Sequence, residues 1–212
     1  MAHTRQTLTN SVVIYASLVF FSAEAVCDGV DYCQETDLKE TGRDLLNEHE
    51  ASYRVVAIGD LHGDLQNAHR VLQLSKVIDE NGSWIGGNTR LVQTGDLLDR
   101  GPNSLELLDL FARLKDEAEN VGGTVTCLLG NHELMTLQGD LRYVSRTELK
   151  ALAAKTLPAA GDTEQAGNLA NGRQEWSRLF QPGQIHGHRL RSDREAMAVV
   201  GEAECRTLFV HA

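Results

Sequence analysis

Three short apolar runs, each closed by glycine and then a residue with an oxygen-bearing side chain, constrain this chain more than any other feature. Val55-Val56-Ala57-Ile58 runs into Gly59-Asp60, the run opened by Leu91-Val92 ends at Gly95-Asp96, and Thr124 to Leu129 ends at Gly130-Asn131. Short apolar runs without alternation suit strands buried on both faces. Between the first two, Leu65, Ala68, Val71 and Leu72 recur at helical spacing up to Val77, before turn signals at Asn81-Gly82 and Gly86-Gly87. Between the second and third, Ser104 reads as the cap of a helix carrying Leu105, Leu108, Phe111, Ala112 and Leu114, broken at Gly122-Gly123. Strand, helix, strand, helix, strand implies right-handed crossovers and a parallel sheet, hence an α/β fold. Ligands of such sheets gather outside the carboxyl ends of the strands. Asp60-Leu61-His62-Gly63-Asp64, Asp96-Leu97-Leu98-Asp99-Arg100-Gly101 and Asn131-His132-Glu133 are therefore expected to converge.

The flanks are read more coarsely. Leu134 to Leu137 continues a helix, and Ser145 with Glu148 forms a capping box for a helix stopped by Pro158. Residues 159–183, rich in Gly, Asn and Gln, read as a surface excursion, and Ala196 to Val200 and Thr207 to Val210 as two strands. At the front, Arg5, the apolar run Val12 to Phe21 and Ser22-Ala23-Glu24-Ala25 have the layout of a secretory leader with an Ala-x-Ala cleavage site. The expected organisation is a leader over 1–25, a polar linker over 26–53 with a short helix near Leu38 to His49, and one domain over 54–212. This places the protein in the secretory pathway or outside the cell, with a membrane anchor or an organelle as the alternative. No run reaches the ~18 apolar residues of a membrane span, so no integral span is expected after cleavage. In an oxidising setting Cys27 and Cys33 suit a local disulfide, whereas Cys127 reads as a buried small hydrophobe; Cys205 precedes a strand, and the overall pairing stays open. With 30 acidic against 20 basic residues, the net charge of −10 excludes a nucleic-acid backbone as partner, which needs a basic face.

The convergent blocks supply carboxylates, imidazoles, an amide oxygen and one guanidinium, and His211 adds another imidazole. Carboxylate and imidazole without thiolate suit a catalytic metal pair rather than a structural zinc. The three blocks resemble the signature of the calcineurin-like binuclear metallophosphoesterases, and Asp99-Arg100-Gly101 is similar to the phosphoprotein phosphatase branch. Leu129-Gly130-Asn131-His132-Glu133 followed by Gly139-Asp140-Leu141-Arg142-Tyr143-Val144 resembles the Shewanella-like protein phosphatases. The resemblance implies a sandwich of mixed sheets flanked by helices. The family pattern continues past the His-Ala pair with further strands, a second histidine ligand and another arginine, so the C-terminal part of the sandwich is expected to be missing from this chain.

It also implies roles. Asp60 and His62 hold a first metal, Asp96 bridges, and Asn131 and His211 hold a second, the ions being Mn, Fe or Zn. A hydroxide bridging two metals attacks a phosphomonoester, His132 protonates the leaving oxygen, Asp99 orients His132, and Arg100 grips the phosphate. The implied substrate is a phosphorylated protein or peptide. A dinucleoside polyphosphate hydrolase is the first alternative, and an inactive truncated pseudophosphatase acting as a binding module the second. Asp64 and Glu133 read as acidity at helix N-termini, with Glu133 also a candidate to support the ligands. His186-Gly187-His188 reads as a loop at the substrate rim. Arg142, Arg189, Arg191 and Arg194 read as a basic scatter, either solvated or receiving phosphopeptide charge.

Overall fold

The computed structural model describes residues 12–16, 19–21, 53–156, 169–202 and 205–211. The linker, the Cys27–Cys33 pair and the Pro158 stop lie outside them. A six-stranded sheet has the order β2-β1-β3-β4-β5-β6, and a separate hairpin pairs β7 with β8. At its centre β3 (Val55–Ile58), β4 (Arg90–Gln93) and β5 (Thr124–Leu128) run parallel, with Val56 opposite Leu91 and Leu91 opposite Val125. The stretch read as a leader contributes β1 (Val12–Ala16), parallel to β3, and β2 (Val19–Phe21), antiparallel to β1. The short β6 (Arg194–Glu195) closes the other edge.

Alternation within the central strands divides the core. Val56, Ile58, Leu91, Val125 and Cys127 face the helices, packing with Leu72, Leu107, Leu108, Phe111 and Leu114. These belong to α1 (Leu65–Leu74) and α2 (Ser104–Glu119). Val55, Ala57, Val92 and Leu128 point the other way, onto Phe209, Ala198 and Val200 of β7 (Met197–Glu202) and β8 (Cys205–Val210). The hairpin thus begins a second layer over the parallel sheet, and both faces of its central strands are buried. This is the two-layered, helix-flanked arrangement expected.

Three expectations are corrected. The excursion over 159–183 contains α5 (Leu169–Leu179), because Leu169, Trp176 and Phe180 fall on one helical face and Trp176 is fully buried. Its Gly172 lies directly on the backbone of Leu149 in α4 (Arg146–Thr156), so the two helices cross closely. The His186-Gly187-His188 triplet is the first turn of α6 (Ile185–Ser192), not a loop. His186 is buried beside the Phe180 ring, and burial lowers its pKa. Finally, Ser104 is the first residue of α2 rather than its cap. Asn103 occupies the cap position without a side-chain bond. Glu148 of α4, read from sequence as capping its own helix, supplies the missing acceptor: its carboxylate takes the Leu105 N–H at 3.2 Å.

Candidate metal centre and phosphate site

The loops following β3, β4 and β5 meet at one edge of the sheet. Leu61 and His62 donate their backbone N–H to Asp96 O at 3.0 and 2.9 Å, and Gly63 donates to Leu97 O at 2.8 Å. Gly63 and Gly101 touch backbone to backbone, and a β-carbon on Gly63 would sit 2.7 Å from the Gly101 carbonyl. A side chain on Gly130 would likewise collide with the Asp96 carboxylate. Only glycine admits such an approach. Among the described non-glycine residues, positive φ occurs at His62, Asp96, Asp99 and Arg100, and otherwise at Lys76 alone. Left-handed backbone disfavours side chains, and its concentration here marks loops held in place by their surroundings.

Asp96 is the hub. One of its oxygens lies 3.8 Å from His62 Nε2 and 3.9 Å from His132 Nε2, and the other lies 3.4 Å from His211 Nε2. Asp60 Oδ2 is 3.5 Å from His62 Nε2, and Asn131 Oδ1 is 2.9 Å from His211 Nε2. The two histidines carry their own test of whether a cation fits. His62 Nδ1 is 3.0 Å from Leu98 O and His211 Nδ1 is 2.9 Å from Thr94 O, and a carbonyl oxygen can only accept. Each ring therefore donates from Nδ1, and in the neutral form turns the Nε2 lone pair toward carboxylate or amide oxygens. His62 Nε2 is buried and has no hydrogen-bond partner. Lone pairs facing anionic oxygens repel, and a cation among them reverses the sign. Asp60, Asp96 and His211 form one group able to hold an ion, and His62, Asp96 and His132 another.

Beside these groups, His132 Nδ1 bonds Asp99 Oδ2 at 2.6 Å, both residues being buried. Burial raises the Asp99 carboxyl above the usual range, and the His132 bond opposes this. On the far side of the ring, Nε2 lies 3.4 Å from Nη2 of the exposed Arg100. Arg100 does not pair with Asp99, whose Oδ2 is taken by His132 and whose Oδ1 is buried without a hydrogen-bond partner. The exposed Tyr143 ring packs 5.3 Å from the imidazole, and its carbonyl accepts the Arg100 N–H at 2.9 Å.

Glu133, read both as helix-terminal acidity and as a candidate to support the ligands, holds the loops that carry them. Fully buried in the first turn of α3 (Asn131–Leu137), it accepts four backbone N–H groups. One oxygen takes Asp96 and Gly130 at 2.8 and 2.9 Å, and the other takes Leu97 and Leu98 at 2.9 and 3.1 Å. Its position three residues after Gly130, where a side chain can reach back over a helix start, is a signal that the sequence reading did not use. Asp64 is an N-cap, accepting from Asn67 N at 3.0 Å. The basic scatter is largely committed elsewhere: Arg142 pairs with Asp140 at 2.7 Å, Arg189 with Asp109, and Arg191 with the Phe180 and Gly187 carbonyls. Cys127 is a buried free thiol, pushed up in pKa by burial.

Oxygen and nitrogen donors thus meet an Asp–His pair and an exposed arginine at one sheet edge. The family profile for calcineurin-like phosphoesterases matches residues 53–202, and the chain belongs to that family. Within it, the chain is 44% identical over 106 residues to Shewanella-like protein phosphatase 2 of Arabidopsis thaliana, covering 50% of this chain and 27% of the relative. It is 39% identical over 97 residues to Shewanella-like protein phosphatase 1 of Plasmodium berghei, covering 46% and 27%. A solved cold-active protein tyrosine phosphatase superposes with a TM-score of 0.53 at 32% identity, over 68% of this chain and 37% of that one. The chain thus spans about a quarter of the length of these curated relatives.

Proposed function

We propose that this chain carries the site of a metal-dependent phosphoprotein phosphatase that hydrolyses phosphomonoesters. The observation that supports it best is the Asp99–His132–Arg100 set lying directly against two donor groups that share Asp96. Asp60, His62 and Asp96 would hold one ion, and Asp96, Asn131 and His211 the other, with Mn, Fe or Zn compatible with these donors. Bound ions of this kind supply a nucleophilic water at neutral pH and neutralise phosphate charge.

The remaining work belongs to the side chains. Arg100, exposed and free of a carboxylate partner among the described residues, offers a planar fork to two phosphate oxygens. His132 presents Nε2 to the same space and, when protonated, delivers that proton to the leaving alcohol. Asp99 keeps the ring oriented through Nδ1. The acid at position 99 favours a phosphoprotein over a dinucleotide substrate, and the location we propose is the secretory pathway or outside the cell, with a membrane anchor or an organelle as the alternative.

The test uses the purified chain loaded with Mn²⁺, offered a phosphopeptide and, separately, a dinucleoside tetraphosphate. Phosphate release from the peptide, lost in His132→Ala with metal retained, is the expected result. Turnover of the dinucleotide alone overturns the substrate reading. Metal binding with turnover of neither selects the binding module.

A further inference from the structure

An open groove of about 520 Å³ lies beside the loops that carry the site, lined by Leu65, Gln66, His69, Arg70 and Gln73 of α1 and by Asn103 at the start of α2. Residues 65, 69 and 73, and residues 66 and 70, recur at every fourth position on the outer side of α1, while Ala68 and Leu72 turn into the core. The polar lining has bonding capacity to spare. Asn103 stands where a helix cap bonds the first turn, yet makes no such bond, because the Leu105 N–H goes to Glu148 at 3.2 Å. Its amide is thereby left to the groove. Gln73 donates Nε2 to Asp79 O at 3.3 Å, which leaves its own side-chain oxygen to accept. Arg70 is exposed, and no carboxylate among the described residues pairs with it; the ion-paired arginines there are Arg113, Arg142, Arg178 and Arg189.

The groove opens beside the reacting groups. Asn103 follows Arg100 by three residues and Leu65 follows His62 by three, so each lies within ~11 Å of the residue it follows. The Asn103 N–H donates to Gly63 O at 3.1 Å, which ties the two loops together at that end. Arg70 is five residues farther along α1 than Leu65, a rise of ~7.5 Å. An extended peptide advances ~3.3 Å per residue, so a side chain meeting Arg70 belongs about three to five residues from the phosphorylated one. On a chain of net charge −10, an unpaired guanidinium is a local attraction for an acid that the rest of the surface repels. Side-chain amides, which both donate and accept, suit the backbone of an extended segment.

We propose that this groove docks the acidic flank of a phosphorylated peptide, with Arg70 pairing with a carboxylate and the amides of Asn103, Gln66 and Gln73 taking the peptide backbone. The assignment deepens the phosphatase reading and rests on it for the nature of the substrate.

The experiment uses the Mn²⁺-loaded chain and phosphopeptides carrying Glu, Gln or Lys three to five residues from the phosphorylated one, on either side. On the better side, kcat/KM for the Glu peptide is expected about fivefold above that for the Gln peptide, through KM, the upper end for a partly exposed ion pair. Arg70→Glu should abolish this preference and favour the Lys peptide instead. It should hydrolyse p-nitrophenyl phosphate, which is too small to reach Arg70, at the wild-type rate. Equal kcat/KM for the three peptides overturns the docking groove. So does a Glu preference that survives Arg70→Glu, which assigns the acid to the metal ions or to Arg100. The phosphatase reading fails separately, if wild type hydrolyses neither p-nitrophenyl phosphate nor any peptide. Fluorescence anisotropy of the labelled peptides then decides: about fivefold weaker binding of the Glu peptide to Arg70→Glu than to wild type upholds the groove, and equal binding overturns it.

Discussion

Replacing Glu133 with glutamine should unfasten the site while scarcely changing its shape. Each carboxylate oxygen takes two backbone N–H groups, at 2.8 and 2.9 Å on one side and 2.9 and 3.1 Å on the other. An amide keeps one oxygen and puts an NH₂ where the other stood. Whichever way it turns, two buried N–H donors lose their acceptor and face a third donor. Hydrogen bonds to a charged acceptor contribute ~1.5–3 kcal/mol each, so two give a loss of ~3–6 kcal/mol. At ~2–4 °C per kcal/mol for a domain of this size, Tm falls by about 6–24 °C. The loss reaches the metal ligands, since Asp96 O receives the Leu61 and His62 N–H groups and Leu98 O anchors the His62 ring. Thermal unfolding and metal content of the purified Glu133→Gln chain give the answer together. A Tm within about 3 °C of wild type, with metal retained, would refute the account of Glu133 as the common anchor of these loops.

Other perturbations have equally definite outcomes. Glu148 carries a pKa raised from 4.5 to about 7, first by burial and then by Glu106, against its bond to the Leu105 N–H. A raised pKa means that the folded chain binds the proton more tightly. Its stabilising contribution is therefore full below about pH 4.5 and is lost as pH rises through about 7. Relative to Glu148→Gln, wild type should lose up to ~3 kcal/mol across that window, and parallel urea midpoints from pH 4.5 to 8 would count against it. Gly101→Ala should destabilise by about 2–3 kcal/mol, since the new methyl meets the His62 carbonyl and the Gly63 backbone; denaturant unfolding measures it. Asp96→Asn should lose most bound metal, whereas Asp64→Asn, which keeps a cap acceptor for Asn67, should retain it by elemental analysis. Arg100→Lys should keep metal but weaken inhibition by inorganic phosphate about tenfold, because a point charge replaces a fork.

The parallel sheet and the convergence of its loops were legible because three apolar runs ended in the same kind of residue, a pattern set by burial on both faces. Asp60, His62, Asp96, Asn131 and His132 could be gathered that way, and the distant His211 only through the family resemblance. Glu133 and Glu148 could not be placed so easily. Most of their partners are backbone N–H groups 35 to 43 residues away, and such groups leave no trace in side-chain spacing. The Ser145–Glu148 pattern was a sound local reading defeated by a nearer demand, the uncapped start of α2. Trp176 was hidden for the opposite reason: its helix is short, polar and carries Gly172, so composition spoke louder than the spacing of its few apolar residues.

The meshing of glycine against glycine has a consequence for how this site comes into being. Gly63 can settle only where Gly101 has already left room, and Gly130 only where Asp96 has turned aside. No one loop can reach its final path ahead of the others, so partial order brings little reward and the ensemble divides sharply between assembled and slack. Damage to any one loop should then spread to all three, and paired substitutions across them should fall short of additivity, since the first already releases what the second would have broken.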